Sequence, residues 1–169
     1  GTETVEVVVV RRSANDGFAK GMNDGLARTT APWICLLNND ILVTEGWLEE
    51  MIAVAEANPV IGALNPMSNE FNVGPTRSES IDEFAGSRRC DRGRWIEHYA
   101  GIGFCLLMPR AVLERVGYFD ERFHFMYFED LDHALRVRQA GWMCAIAEGA
   151  YVFHCRHATM QRHPQRLQL

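Results

Sequence analysis

The sequence predicts an α/β fold with a largely parallel sheet flanked by helices, and three observations predict it. Apolar strand-like runs alternate with helical stretches along the chain. The run at residues 33–37 is apolar throughout, and that at 5–10 is so apart from Glu6, as in strands covered on both faces. The stretches between the strands carry apolar residues at helical spacing on one face.

Residues 5–10 form the first predicted strand. Asn15 and Asp16 then offer an N-cap for a helix to about residue 28, with Phe18, Met22 and Leu26 on one stripe and Gly17, Gly21 and Gly25 on another. The glycine stripe suits either close helix–sheet packing or the approach of a ligand. Residues 33–37 are the second strand, stopping at Asn38-Asn39-Asp40. A helix is expected over 44–57, with Leu48, Met51, Ile52 and Ala55 facing the core, Glu45 in its first turn and Asn58-Pro59 as its stop. Residues 60–64 read as a strand. Residues 65–100 read as a long, partly irregular excursion with a helix near 81–88, and loops of that length are often functional. A strand over 104–108, a short helix over 109–116 opened by Pro109, a helix over 129–140 stopped by Gly141, and strands over 143–147 and 151–153 complete the pattern.

A chain of 169 residues that is 47% hydrophobic and 23% charged can bury a core, which excludes intrinsic disorder, collagen-like repeats and disulfide-dense mini-proteins. The formal net charge of −5 argues against a nucleic-acid partner. No apolar run reaches the roughly 18 residues of a membrane span. No signal peptide is legible, and a cytoplasmic location is expected. The five cysteines are odd in number, widely spaced and without a C-x-x-C pair, so buried free thiols are expected.

Three polar groups lie where chemistry could sit. Asn38-Asn39-Asp40 follows a strand end, where the ligand crevice of such sheets opens. Asp40 is a hard oxygen ligand suited to magnesium or manganese held jointly with phosphate, although an ordinary turn also explains the three residues. Glu129-Asp130-x-Asp132 opens a helix behind an aromatic run; capping explains these carboxylates, and desolvation would also tune one as a general base. Asp132 is spaced for an ion pair with Arg136. His154 ends the last strand, as a structural histidine or as a metal ligand.

Taken in order, these pieces resemble the family 2 glycosyltransferases, in particular the subgroup that includes bacterial rhamnosyltransferases. The matching strings are N-D-G-F-A-K-G-M-N-D-G-L-A at 15–27, I-C-L-L-N-N-D at 34–40, G-W-L at 46–48, V-G-Y-F-D-E-R-F at 116–123, F-E-D-L-D at 128–132, R-V-R-Q-A-G at 136–141 and Y-V-F-H at 151–154. The resemblance covers roughly residues 5–158. It implies a GT-A-type domain over 1–158, with 159–169 as a basic C-terminal tail. It further implies a nucleotide-diphosphate sugar donor, a divalent Mn2+ or Mg2+ ion, and inverting transfer to a hydroxyl on a saccharide or lipid-linked acceptor in cell-surface polysaccharide synthesis. Asp40 would bind the metal with His154. Asn15, Asn23, Asn38, Asn39 and Asp40 would lie at the donor. Asp130, with Glu129 beside it, would be the catalytic base, and Gly101, Gly103 and Trp47 would line the acceptor pocket.

Two departures qualify the resemblance. Asn38 stands where the family often carries an acid. The strand-turn-helix unit that grips the nucleotide base has no counterpart before Asn15, so the domain is expected to be N-terminally incomplete by about 30 residues or more. A sheet without its first strand would expose an edge and favour a homodimer. Arg156, Arg162 and Arg166 in an acid-free tail suggest either a solvated segment or peripheral contact with anionic lipid at the inner face of a membrane. The alternative is a non-catalytic GT-A fragment acting as a binding or assembly module that cannot hold a donor alone.

Overall fold

Helices cover both faces of one mixed sheet in the computed structural model, which describes residues 6–123 and 127–155. The strands are β1 (Trp33–Leu37), β2 (Ile41–Val43), β3 (Ile61–Ser68), β4 (Trp95–His98), β5 (Cys105–Pro109) and β6 (Met143–His154). The helices are α1 (Phe18–Leu26), α2 (Trp47–Ala57), α3 (Ile81–Ser87), α4 (Arg110–Val116) and α5 (Glu129–Gln139). The strand order is β1-β5-β3-β6-β2, with β4 also paired to β6.

The expectation of a largely parallel sheet is corrected. Only β3 and β6 run parallel; β1–β5, β3–β5, β2–β6 and β4–β6 are antiparallel. The apolar continuity of the strands reports coverage on two faces, not direction: every residue of β3 is buried. Along β5 the alternation divides the core. Leu106 and Met108 join Ile34, Leu36, Val112, Ala134 and Val137 on the side of α4 and α5, whereas Leu107 joins Met51, Val54 and Ala55 on the side of α2. The excursion over 65–100 supplies β4 and lets β5 enter between β1 and β3, pairing antiparallel with both.

The predicted strand at 5–10 is a second correction. Described residues 6–10 form no strand, and Val7, Val8 and Val9 are 79%, 58% and 72% exposed. A β-branched run becomes a strand only when its backbone groups find a partner, and this one lies beside Gly25, Arg28 and Thr29 instead of against a sheet edge. The first helix starts two residues later than its expected caps. Asn15 accepts a hydrogen bond from Gly17 N–H at 3.1 Å, Gly17 adopts φ 92°, and α1 begins at Phe18 without a side-chain cap. The glycine stripe does not serve close packing. A Cβ on Gly21 or Gly25 would meet nothing within 4 Å, because that face opens on a groove of about 370 Å³ between α1 and β1.

Other elements follow the local signals. Ser80 and Glu83 cap α3 reciprocally, and Gly141 leaves α5 at φ 97°. Asp132 accepts from Arg136 Nε at 2.9 Å, the expected i,i+4 pair. The two predicted C-terminal strands are one continuous β6 that shifts register against β3 between Pro66 and Met67. All five cysteines are free; Cys105 and Cys144 are buried and Cys35 partly so, but Cys90 and Cys155 are exposed, against expectation.

Candidate active site

Asp40 and His154, distant in sequence, meet because β2 pairs antiparallel with β6 in the register Ile41↔His154. The Asn38-Asn39-Asp40 segment is indeed a turn, and it is the turn that carries Asp40 to the end of β6. Asp40 O accepts from Cys155 N–H at 2.9 Å, and Asp40 Oδ1 lies 3.1 Å from His154 Nε2. Both side chains are largely shielded, at 15% and 14% exposure. His154 Nδ1 lies 2.6 Å from Glu70 Oε1, and Asn69 holds the His154 backbone, donating to its carbonyl at 2.9 Å and accepting from its N–H at 2.7 Å.

The loop before β5 joins this pair to the first turn of α5. The Phe104 ring stacks on the His154 imidazole with centroids 5.6 Å apart and planes 14° off parallel. The Phe104 carbonyl accepts from Asn38 N–H at 2.9 Å. One residue earlier, Gly103 N–H donates to Asp130 Oδ2 at 3.3 Å. Asn65, fully buried in β3, shapes the loop: its amide donates to the carbonyls of Ile102 (2.8 Å) and Cys105 (2.5 Å) and accepts from Ile102 N–H (2.9 Å). Gly101 and Gly103 are buried there, and a side chain at either would require its neighbours to shift. A Cβ would come within 2.9 Å of Leu106 Cδ1 at the first and of Phe18 Cζ at the second.

The acidic pair opens α5 after two residues in the left-handed region, Tyr127 (φ 80°) and Phe128 (φ 73°). Such backbone is costly for bulky side chains, and it turns the chain so that Glu129 points inward. Glu129 is 5% exposed, its Oε2 has no hydrogen-bond partner among the described residues, and burial, aided by Asp130, pushes its carboxyl above the usual range. Asp130 is less buried and accepts from both Gly103 and Leu131 N–H, the latter at 2.9 Å.

The structure thus links Asp40, His154, Phe104, Gly103 and Asp130 by successive contacts, with Asn38 on the same loop. The other sequence-predicted residues are engaged elsewhere. Asn15 is exposed in the turn before α1. Asn23 is buried, bonded to the Phe119 backbone at 2.9 and 3.0 Å and to Glu121 at 3.0 Å. Asn39 is exposed. Trp47 packs at the start of α2 against the cluster of Phe104, Cys105 and Val152. Sequence reasoning missed Asn65, Asn69 and Glu70 as contributors, and it placed Phe104 within the 101–105 acceptor segment without its contact to His154. The length of the 65–100 excursion was the only signal for the first three, because no spacing rule links Glu70 to His154. The basic tail with Arg156, Arg162 and Arg166 lies outside the described residues.

Asp40 and His154 suit a divalent cation as two ligands. Metal–ligand bonds of about 2.1 Å at right angles put cis donor atoms about 3.0 Å apart, close to the separation found. Glu70 occupies the far ring nitrogen. Among the described residues no group of three or more His, Cys, Asp or Glu side chains is arranged around a common metal position, so further ligands would come from phosphate oxygens and water. Among the described residues no helix is long and apolar enough to cross a membrane.

Similarity to known proteins follows the same lines. The chain is 28% identical over 153 residues to the N-acetylglucosaminyl-diphospho-decaprenol L-rhamnosyltransferase of Mycobacterium tuberculosis, in both the CDC 1551 / Oshkosh and H37Rv strains. That match covers 78% of this chain and 50% of the relative, so the chain spans about half the length of the curated relatives it matches. Among solved structures, GalNAc-T7 with UDP, GalNAc and Mn2+ superposes with a TM-score of 0.66 at 12% identity, covering 86% of this chain and 31% of that one. The mannosyltransferase PcManGT of Pyrobaculum calidifontis, in complex with GDP-Man and Mn2+, gives 0.63 at 19% identity, covering 95% and 44%. These likenesses establish the fold, that of the GT-A glycosyltransferases. The model of the family described as "Glycosyl transferase family 2" matches residues 3–117, more than half of the chain, and the protein belongs to that family.

Proposed function

We propose that residues 1–158 form a GT-A domain that moves a sugar from a nucleotide-diphosphate donor to a hydroxyl of a saccharide or lipid-linked acceptor in cell-surface polysaccharide synthesis. The carrying observation is the Asp40–His154 pair, spaced 3.1 Å apart and joined through Phe104 and Gly103 to Asp130. The acceptor named for the curated relatives, a lipid-linked sugar, supports the acceptor class.

In this reading Asp40 and His154 hold Mn2+ or Mg2+ together with the donor diphosphate. Bound there, the ion supplies positive charge to the leaving group. Asn38, Asn39, Asn15 and Asn23 serve the donor side; of these, Asn38 donates its N–H to the carbonyl of Phe104, whose ring stacks on His154. Asp130 takes the acceptor hydroxyl proton as that oxygen attacks the anomeric carbon. Burial, aided by Asp130, raises the carboxyl of its neighbour Glu129 above the usual range. A single displacement with no covalent intermediate inverts the anomeric centre. Gly101, Gly103 and Trp47 border the acceptor side. A lipid-linked acceptor would bring the enzyme to the cytoplasmic face of a membrane, and the outer edge of β1 offers a surface for a homodimer.

The test is binding of UDP, GDP, CDP, ADP and dTDP, with and without Mn2+, measured by calorimetry. Binding of one of them that requires Mn2+, and its loss in Asp40→Asn, is the expected result. A well-folded protein that binds none would overturn the catalytic reading in favour of a binding or assembly module.

A further inference from the structure

We infer that Glu70 is the positioning residue of the His154 imidazole: its carboxylate accepts the Nδ1 proton and holds Nε2 turned toward Asp40. The inference rests on the reading of Asp40 and His154 as metal ligands, and it adds a residue that neither the motifs nor the comparisons point to.

The geometry comes from one short segment. Ser68, fully buried at the end of β3, caps the 3-10 turn Asn69–Phe71 by accepting from Glu70 N–H at 3.3 Å. That turn presents consecutive side chains to one histidine. Asn69 brackets the His154 backbone through both N–H and C=O, and Glu70 Oε1 meets the ring at Nδ1, 2.6 Å away. Phe104 lies flat against the imidazole, and Phe71 packs edge-on against Phe104 at 6.0 Å. Backbone, ring plane and ring nitrogen are therefore each restrained by a different group.

The chemistry of the two nitrogens gives the arrangement its meaning. A carboxylate can only accept, so Nδ1, facing Glu70, carries a proton. Nε2, turned toward the Asp40 carboxylate at 3.1 Å, is then the nitrogen whose lone pair a metal held jointly with Asp40 would take. Outer carboxylates of this kind fix the ring of a ligating histidine and raise its basicity, and their loss typically costs about 10- to 100-fold in metal affinity. A purely structural ion pair would hold the segment 68–71 against β6 without any dependence on which nitrogen is protonated.

The test reads tautomer and metal separately. Nitrogen-15 NMR of the histidine side chains is recorded on the metal-free chain at about pH 8. The His154 signal is assigned by its absence from His154→Asn. The wild type is expected to show a proton on Nδ1, Glu70→Gln to retain it through the amide oxygen, and Glu70→Ala to lose it, leaving the proton on the Nε2 that faces Asp40. Mn2+ affinity, followed by electron paramagnetic resonance with Mn2+ and the nucleotide that binds best, is expected to fall about 10- to 100-fold in Glu70→Ala. A wild-type Nδ1 that carries no proton overturns the inference without any variant. So does a folded Glu70→Ala with unchanged tautomer or unchanged Mn2+ affinity. The NMR arm needs no metal, so it decides the role of Glu70 even if the wild type takes up no Mn2+, the outcome that would instead remove the metal reading of Asp40 and His154.

Discussion

Gly103 donates its backbone N–H to Asp130 Oδ2 at 3.3 Å, tying the loop before β5 to the first turn of α5. The bond orients one carboxylate oxygen without burying the side chain, since Asp130 is more exposed than Glu129 beside it. It also couples the proposed base to the loop whose next residue, Phe104, stacks on His154.

Replacing Asp130 by Asn keeps an oxygen that can accept from Gly103 and removes the base. Sugar transfer is expected to fall roughly 100- to 10,000-fold while the donor dissociation constant stays unchanged. Donor binding and turnover measured on the same preparation check this; normal turnover would dismiss Asp130 as the base.

Asn65 carries the loop that places Gly103 and Phe104. In Asn65→Ala the Ile102 N–H and the Ile102 and Cys105 carbonyls all lose their side-chain partner in a buried setting. A loss of about 3 kcal/mol of stability is expected, seen as a lower urea midpoint at unchanged slope. A change below about 0.5 kcal/mol would mean that the loop holds its shape by backbone alone.

His133 makes stability depend on pH. It is 1% exposed and stacked on Phe119 at 4.5 Å; burial, reinforced by Arg136, pushes its imidazole down to about 4. The folded state keeps the ring neutral while the unfolded chain takes up a proton near the ordinary value of about 6.5. The contribution of His133 is therefore fully present above about pH 6.5 and is lost as pH falls toward about 4, to the extent of about 3 kcal/mol. Glu129, with a raised carboxyl, acts in the opposite direction, so the comparison is with His133→Phe, in which Glu129 is retained. Urea unfolding across this window should lose the His133 part of the slope in the variant, and an identical slope in both proteins would refute it.

How far the sequence reaches depends on how local each feature is. The helices α2, α3 and α5 and the Asp132–Arg136 pair arise from residues within a few positions of one another, and local signals placed them to within a few residues. The ordered motifs carried the family, because each is contiguous. Strand direction was not legible: continuous apolar residues report that both faces of a strand are covered, whichever way its neighbours run.

The valine run at 7–10 marks the same boundary from the other side. Its composition favours a strand, but a strand is a pairing, and these valines face solvent because the described sheet gives them no ladder. The active-site candidates divide likewise. Asp40, Asp130 and His154 stand out in the sequence as polar residues at element ends. Their mutual placement, and the entry of Glu70, Asn65 and Phe104, required the register of β2 against β6 and the path of the 65–100 excursion. Local periodicity determined which segments are helices or strands, and contiguous motifs determined the family. Tertiary structure alone decided which side chains share a site, because contacts between segments 84 residues apart depend on sheet order and register rather than on spacing along the chain.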